Sequence, residues 1–340
     1  MKVLCIIHGY PPYHNAGAEW MIHDLNKFLV KRGHEVRVLL PGGNAVVSKN
    51  GKRSYTKVEK VYVLDGVKVE EKNTKNLIPY SKWADVLITH LDGAGLALNI
   101  FRRPDVQKPL VHLLHNTHHN EAIKVFSPMN QYVVWNAVWN KKENPYPNKG
   151  VVVHPPVSTE DYKVVRRNAK NITLINCWEN KGGKVLVNLA KEDPDHSYLG
   201  VMGGYGDQVI GRSKNLKYED NTPDIKSVYR KTRILIMPSS YESWGRVAVE
   251  AMCSGIPVIA HPTPGLKESL GFAGLFAHRD RVGEWVNIIK QLDDPGYYAE
   301  MSAKAAERAA QLSEMTDKEL LDYEKFLEKI SNKGYEVQGS

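Results

Sequence analysis

Short runs rich in β-branched residues alternate with stretches of helical spacing along this chain, and the alternation starts afresh near its middle. Strands separated by helices dictate parallel sheets joined by right-handed crossovers. In the first half, residues 3–7 read as a buried strand. Residues 18–31 read as a helix with Met21, Leu25, Phe28 and Leu29 on one face, ended by Gly33, and 35–40 as the next strand. Residues 61–69 read as a hairpin turning at Asp65-Gly66, and 86–88, 110–114 and 132–134 as further buried strands. Residues 44–60, with several lysines and few apolar side chains, read as a mobile basic loop. A Pro-rich stretch at 144–156 marks a boundary. Beyond it, strands at 172–175, 198–202, 233–237 and 257–260 alternate with helices at 183–190, 225–230, 247–253 and 284–292, and residues 302–330 read as an amphipathic helix. The expected fold class is α/β with two domains, 1–150 and 151–312, and a C-terminal helix, 313–340, packing back on the first domain.

Charge separates the halves. Residues 1–150 hold 21 basic and 12 acidic residues, a net +9, and 9 of the 13 histidines; the remainder nets −1. An anionic partner for the first half follows as an expectation: nucleic acid or an anionic lipid surface, met by Lys49, Lys52, Arg53, Lys57, Arg102 and Arg103. No run of 18 apolar residues is present, and residues 2–7 are too short for a signal peptide's hydrophobic region. Cys5, Cys177 and Cys253 lie far apart among apolar neighbours, which points to buried thiols in a reducing, cytoplasmic setting.

Chemistry concentrates between Pro238 and Ile259. Glu242 and Glu250 stand eight positions apart across a strand-to-helix turn, so a helix N-terminus with free N–H groups lies between them, suited to a phosphate. Glu250, about two turns along, is placed to accept hydrogen bonds from a ribose. On its own the pair also fits a helix cap and a solvated face. A second cluster, His112, His115, His118 and His119, follows a first-half strand and leaves zinc and a plain surface histidine cluster as readings.

The segment Pro238-Ser-Ser-Tyr-Glu-Ser-Trp-Gly-Arg-Val-Ala-Val-Glu250 resembles the signature of retaining glycosyltransferases with the GT-B fold, family 4 (glycosyl transferases group 1). The likeness extends to Pro11-Pro12, Gly17-Ala18, residues 32–36, the stretch Val152 to Val157, and Lys181-Gly182. It implies two Rossmann-like domains facing a central cleft and transfer of a sugar from a nucleotide sugar, expected to be a UDP-sugar, to a hydroxyl acceptor. Hydroxymethylated-base DNA and a lipid-linked glycan are the anionic acceptors considered. It also implies no cofactor and no metal. Lys181 would contact the donor phosphates, Glu242 with the Ser243, Trp244 and Gly245 backbone would hold the sugar hydroxyls, and Glu250 the ribose. Gly204, Tyr205 and Thr222 would lie near the nucleobase, and Gly17 and Gly182 would admit the diphosphate. His115 would touch the donor sugar, with His118 and His119 as alternatives, so that Glu242, Lys181 and His115 form the catalytic set. The family's phosphate arginine is missing, its place taken by Cys177, and Arg246 is the expected substitute. A non-catalytic nucleic-acid-binding protein and a nucleotide-sugar epimerase remain the competing readings.

Overall fold

A computed structural model of the chain describes residues 1–49, 52–117, 130–146, 149–204 and 207–332, leaving aside the side chains of 46–49, 52 and 53. Two compact units result. The first comprises Met1–Ala45, Thr56–Pro156 and the chain from Asp317, and the second Val46–Tyr55 and Val157–Thr316.

Over residues 1–156 the elements run β1 (Lys2–Ile6), α1 (Gly17–Lys31), β2 (Glu35–Leu40), β3 (Asn44–Lys49), β4 (Lys52–Lys57), β5 (Val61–Leu64), β6 (Val67–Glu71), α2 (Leu77–Trp83), β7 (Val86–His90), α3 (Ala94–Phe101), β8 (Leu110–Leu114), β9 (Gln131–Trp135), α4 (Val138–Glu143) and β10 (Gly150–Val152), of which β3 and β4 fall mostly in the segment grouped with the second unit. Eight strands form one sheet in the order β10-β9-β8-β7-β1-β2-β6-β5. All neighbours are parallel except β5 and β6, a hairpin whose turn residues Asp65 and Gly66 take φ of 47° and 82°, as an Asp-Gly turn requires. The alternation of side chains along β1 explains why it is apolar throughout. Val3 and Cys5 pack with Met21, Leu25 and Leu29 of α1, while Leu4 and Ile6 pack with Ala97, Leu98 and Phe101 of α3. The expected basic loop at 44–60 is instead a two-stranded ladder of β3 with β4, since Val46, Val47 and Tyr55 supply the β-branched and aromatic residues that a strand favours.

The second unit runs α5 (Thr159–Tyr162), β11 (Asn171–Ile175), α6 (Gly183–Glu192), β12 (Ser197–Val201), β13 (Leu216–Glu219), α7 (Ile225–Tyr229), β14 (Thr232–Met237), α8 (Arg246–Met252), β15 (Val258–Ala260), α9 (Pro264–Leu270), β16 (Gly274–Phe276), α10 (Val282–Gln291) and α11 (Pro295–Asn332). Its six parallel strands stand in the order β13-β12-β11-β14-β15-β16. The chain therefore builds outward from β11 in one direction, then returns to build from β14 in the other. Ligands of such sheets bind beyond the strand carboxyl ends at that reversal.

Helix α11 is 38 residues long, and its sequence position at the domain junction gives its two ends different tasks. Met301 belongs to the second unit's core, whereas Tyr323, Leu327 and Ile330 belong to the first unit's. In the first unit the buried Glu324 accepts from Arg32 Nε at 3.0 Å and lies 2.8 Å from His34 Nε2. Glu319 accepts from the His154 backbone N–H at 2.8 Å.

Burial pushes the Glu324 carboxyl up, but the Arg32 and His34 hydrogen bonds outweigh it and hold the group below its ordinary value of 4.5. A depressed carboxylate stabilises the fold above its unfolded pKa and ceases to do so as pH falls through the folded value. Glu324→Gln is expected to melt below wild type at neutral pH, by about 2–4 °C per kcal/mol lost. The gap should narrow below pH 4.5. A gap independent of pH in thermal melts would refute the assignment.

Candidate functional site

Sheet order places the loops that follow β11 and β14 side by side at the reversal of the second unit. The first loop leaves β11 through Asn176, at φ 72°, a left-handed conformation that asparagine tolerates. It tightens into a turn and enters α6 at Gly182, φ 104°. A Cβ on Gly182 would strike Pro238, so that glycine lets the two loops touch, while one on Gly183 would strike the Cys177 carbonyl, so Gly183 lets the first loop fold back on its own start. Across the gap, the Ser240 N–H donates to the Asn180 carbonyl at 2.8 Å. With the backbones joined there, Lys181 Nζ reaches Glu242 Oε1 at 2.5 Å, and Ser239 Oγ donates to the same oxygen at 2.9 Å. A cation and a carboxylate drawn from separate loops thus meet at the switch point.

After Glu242 the chain turns through Gly245, φ 84°, into α8. Trp244 packs inward at 3 % exposure, wedged in the core rather than facing outward. Thr263 caps α9 by accepting from the Leu266 N–H at 3.3 Å, and Gly265 lets that helix end lie against the Glu242 and Ser243 backbone, where a Cβ would clash. Glu250 is buried and gripped from two sides: Arg246 Nε donates to Oε1 at 2.7 Å and Tyr229 OH to Oε2 at 2.7 Å. Burial and the Glu250 charge push the Tyr229 phenol well above its usual range, so it stays a donor. Arg246 Nη2 donates to Tyr162 OH at 2.7 Å.

Arg246 is the first residue of α8, and its side chain runs along the helix to the buried Glu250 carboxylate one turn away and on to Tyr162. Cys177 is fully buried under Gly200, with its thiol pushed up to about 12 by desolvation. The residue at the strand's mouth is its neighbour Asn176. Gly203 and Gly204 follow β12, and the Gly203 N–H donates to Gln208 Oε1 at 2.8 Å. Tyr205 lies outside the described residues. Thr222, past β13, accepts from the Asp224 N–H at 3.1 Å.

In the first unit the reversal falls between β1 and β7. Gly17, the first residue of α1, is exposed, and a Cβ there would meet nothing within 4 Å. The chain itself therefore does not require glycine at that position. His115 is buried just past β8, its Nε2 3.0 Å from His90 Nδ1, and burial pushes it down to about 4, so it is neutral at pH 7. His112, also buried and lowered to about 4, does not join His115 in any group of three or more candidate metal ligands among the described residues. His118 and His119, the other members of the run, are outside the described residues. Of the acceptor-side cations, Lys57 and Arg102 are exposed, but Arg103 is bound to Asp105 at 3.0 Å, a carboxylate shared with Lys82. The side chains of Lys49, Lys52 and Arg53 fall outside the description.

Asn180, Tyr229, Ser239, Gly265 and His90 are site residues that sequence reading missed. The Thr263-Pro264-Gly265 run carried a helix-start signal. For the other four, only tertiary contact reveals the role.

Residues 209–311 match the family described as glycosyl transferases group 1. A D-inositol 3-phosphate glycosyltransferase from Mycobacterium sp. (strain KMS) is 38% identical over 198 residues, covering 50% of this chain and 45% of that protein. One from Arthrobacter sp. (strain FB24) is 34% identical over 89 residues, 25% of this chain and 21% of that protein. The chain thus spans less than half the length of these curated relatives. Among solved structures, sucrose-phosphate synthase from Thermosynechococcus elongatus superposes with a TM-score of 0.76 at 14% identity, over 97% of this chain and 99% of that one. Anabaena HepE in complex with UDP-glucose gives 0.73 at 17%, over 96% and 99%.

Gly182→Ala is expected to destabilise the second unit by about 1–3 kcal/mol, through the left-handed φ and the clash with Pro238. Tyr229→Phe, which takes a donor from a buried carboxylate, should lower stability by about 1–3 kcal/mol. Denaturant titration of both variants checks these values.

Proposed function

We propose that this chain, a group 1 glycosyltransferase of the GT-B fold, moves a sugar from a nucleotide sugar to a hydroxyl acceptor with retention at the anomeric carbon. The observation that carries this reading is the meeting of Lys181 with Glu242 at 2.5 Å where the two switch-point loops join. Transfer leaves negative charge on the departing nucleoside diphosphate, and a fixed cation beside that charge stabilises the transition state. Lys181 supplies it as a point charge. When donor phosphate draws Lys181 away, Glu242 is freed to accept from the sugar's hydroxyls, still oriented by Ser239. Glu250 takes the ribose, as a buried carboxylate held in one orientation by Arg246 on one oxygen and Tyr229 on the other. Arg246 thus serves the ribose side of the donor, and the phosphate charge falls to Lys181. His115, neutral at pH 7, meets the donor sugar as a hydrogen-bonding group, and Gly17 lets the diphosphate approach α1, which fits the open space at its Cβ.

UDP-glucose in the complex with Anabaena HepE supports a UDP-sugar donor. The inositol 3-phosphate in the relatives' name agrees with the +9 first half. We therefore read the acceptor as a hydroxyl compound bearing phosphate, with hydroxymethylated-base DNA and lipid-linked glycans as further members of that anionic class. Three buried free thiols fit a reducing, cytoplasmic setting.

UDP release from a panel of UDP-sugars, measured with inositol phosphates, hydroxymethylated DNA and lipid-linked glycans as acceptors, tests the reading. Lys181→Ala should lower the rate about 10²-fold, as loss of one charge-stabilising donor does. A wild-type chain that is neither stabilised by any nucleotide sugar nor releases UDP with any acceptor sinks the proposal.

A further inference from the structure

The switch point of the first unit carries a constellation that the transferase reading leaves unused. His8 lies just past β1, His90 is the last residue of β7, and Glu19 sits in the first turn of α1. One ligand atom from each lies within 4.8 Å of the others. His8 Nε2 stands 3.4 Å from Glu19 Oε1. That is long for a charge-assisted hydrogen bond, about 2.7–2.9 Å, and matches the roughly 3.4 Å edge of a tetrahedron of ligands about 2.1 Å from zinc. His90 is 1% exposed, and its Nε2 has no hydrogen-bond partner among the described residues; the same holds for His8 Nδ1.

We infer that His8, Glu19 and His90 form a binding site for a divalent transition metal of the zinc class. Two imidazoles and a carboxylate are the ligand chemistry zinc takes in open sites, with a fourth position left to an oxygen ligand. The surroundings accommodate the tautomer this requires. With His90 Nδ1 3.0 Å from His115 Nε2, a proton on Nδ1 donated to His115 leaves the Nε2 lone pair for the metal, the outer-shell arrangement usual for ligating histidines. The site does not depend on the donor assignment, since all three ligands belong to the first unit. The other candidate group, His34 with Glu324 and Glu328, has both His34 nitrogens engaged, by Glu324 and by the Met1 amine, and forms part of the clamp on α11.

The test is a titration of the metal-stripped full chain with Zn²⁺ against a chromogenic chelator, alongside the visible absorption of Co²⁺. One equivalent bound with micromolar or tighter affinity is expected, with intense cobalt bands of a low-coordinate ion. Glu19→Gln and His90→Gln should each weaken binding by more than about tenfold, and His115→Leu, through loss of the acceptor for His90, by about 10–100-fold. His278→Gln, in the separate His261–His278 pair, should change nothing. Absence of wild-type zinc binding or of cobalt bands overturns the site whether or not the variants fold. So does unchanged affinity in folded Glu19→Gln and His90→Gln, or loss of the equivalent in His278→Gln.

Discussion

The second unit's site hangs on one backbone contact, the Ser240 N–H on the Asn180 carbonyl. Parallel strands end in loops whose polar groups the sheet no longer satisfies, so two neighbouring loops must find each other or face water. Here Gly182 removes the side chain that would hold the two loops apart, Gly265 lets the start of α9 close on the second, and the carbonyl of one loop takes the amide of the next. Lys181 and Glu242 are then neighbours by construction. Their pairing needs no long-range steering, only the register of β11 against β14.

The two units place different chemistry at equivalent points of similar sheets. At its reversal the second unit sets a cation against a carboxylate, with tyrosines behind. The first unit sets histidines there. Of the imidazoles around its reversal, His90 and His115 are held neutral by burial, while the Glu19 carboxylate holds His8 above its ordinary value. Some of the first half's cations are held locally: Arg103 and Lys82 meet Asp105, and Lys68 meets Glu70. What distinguishes that unit locally is a set of uncharged nitrogen donors and acceptors close to a carboxylate.

Periodicity exposed the fold because each buried strand of these sheets is apolar on both faces, as β1 shows, and each covering helix repeats its apolar face every turn. The short strands β10 and β16 escaped, being three residues each and half-buried at sheet edges. The Lys181, Glu242 and Glu250 positions were legible because their loops carry a family pattern. The side-chain network was legible only in part: Glu250 stands one turn from Arg246, at helical spacing, but Tyr162 and Tyr229, which complete the network, are remote from both in sequence. Local spacing records which way a helix faces, whereas a buried polar network is settled by whichever groups the packing leaves without water.

Glu250 illustrates what such a network does. A carboxylate on a free side chain can swivel to follow whichever hydroxyl is offered, at the expense of rotamer entropy. Held by an arginine on one oxygen and a tyrosine on the other, this one cannot turn. Its oxygens face directions set when the protein folds, before any ligand arrives. On the ribose reading, the site is a rigid template: a nucleotide whose hydroxyls stand elsewhere could not be followed by any rearrangement of the side chain.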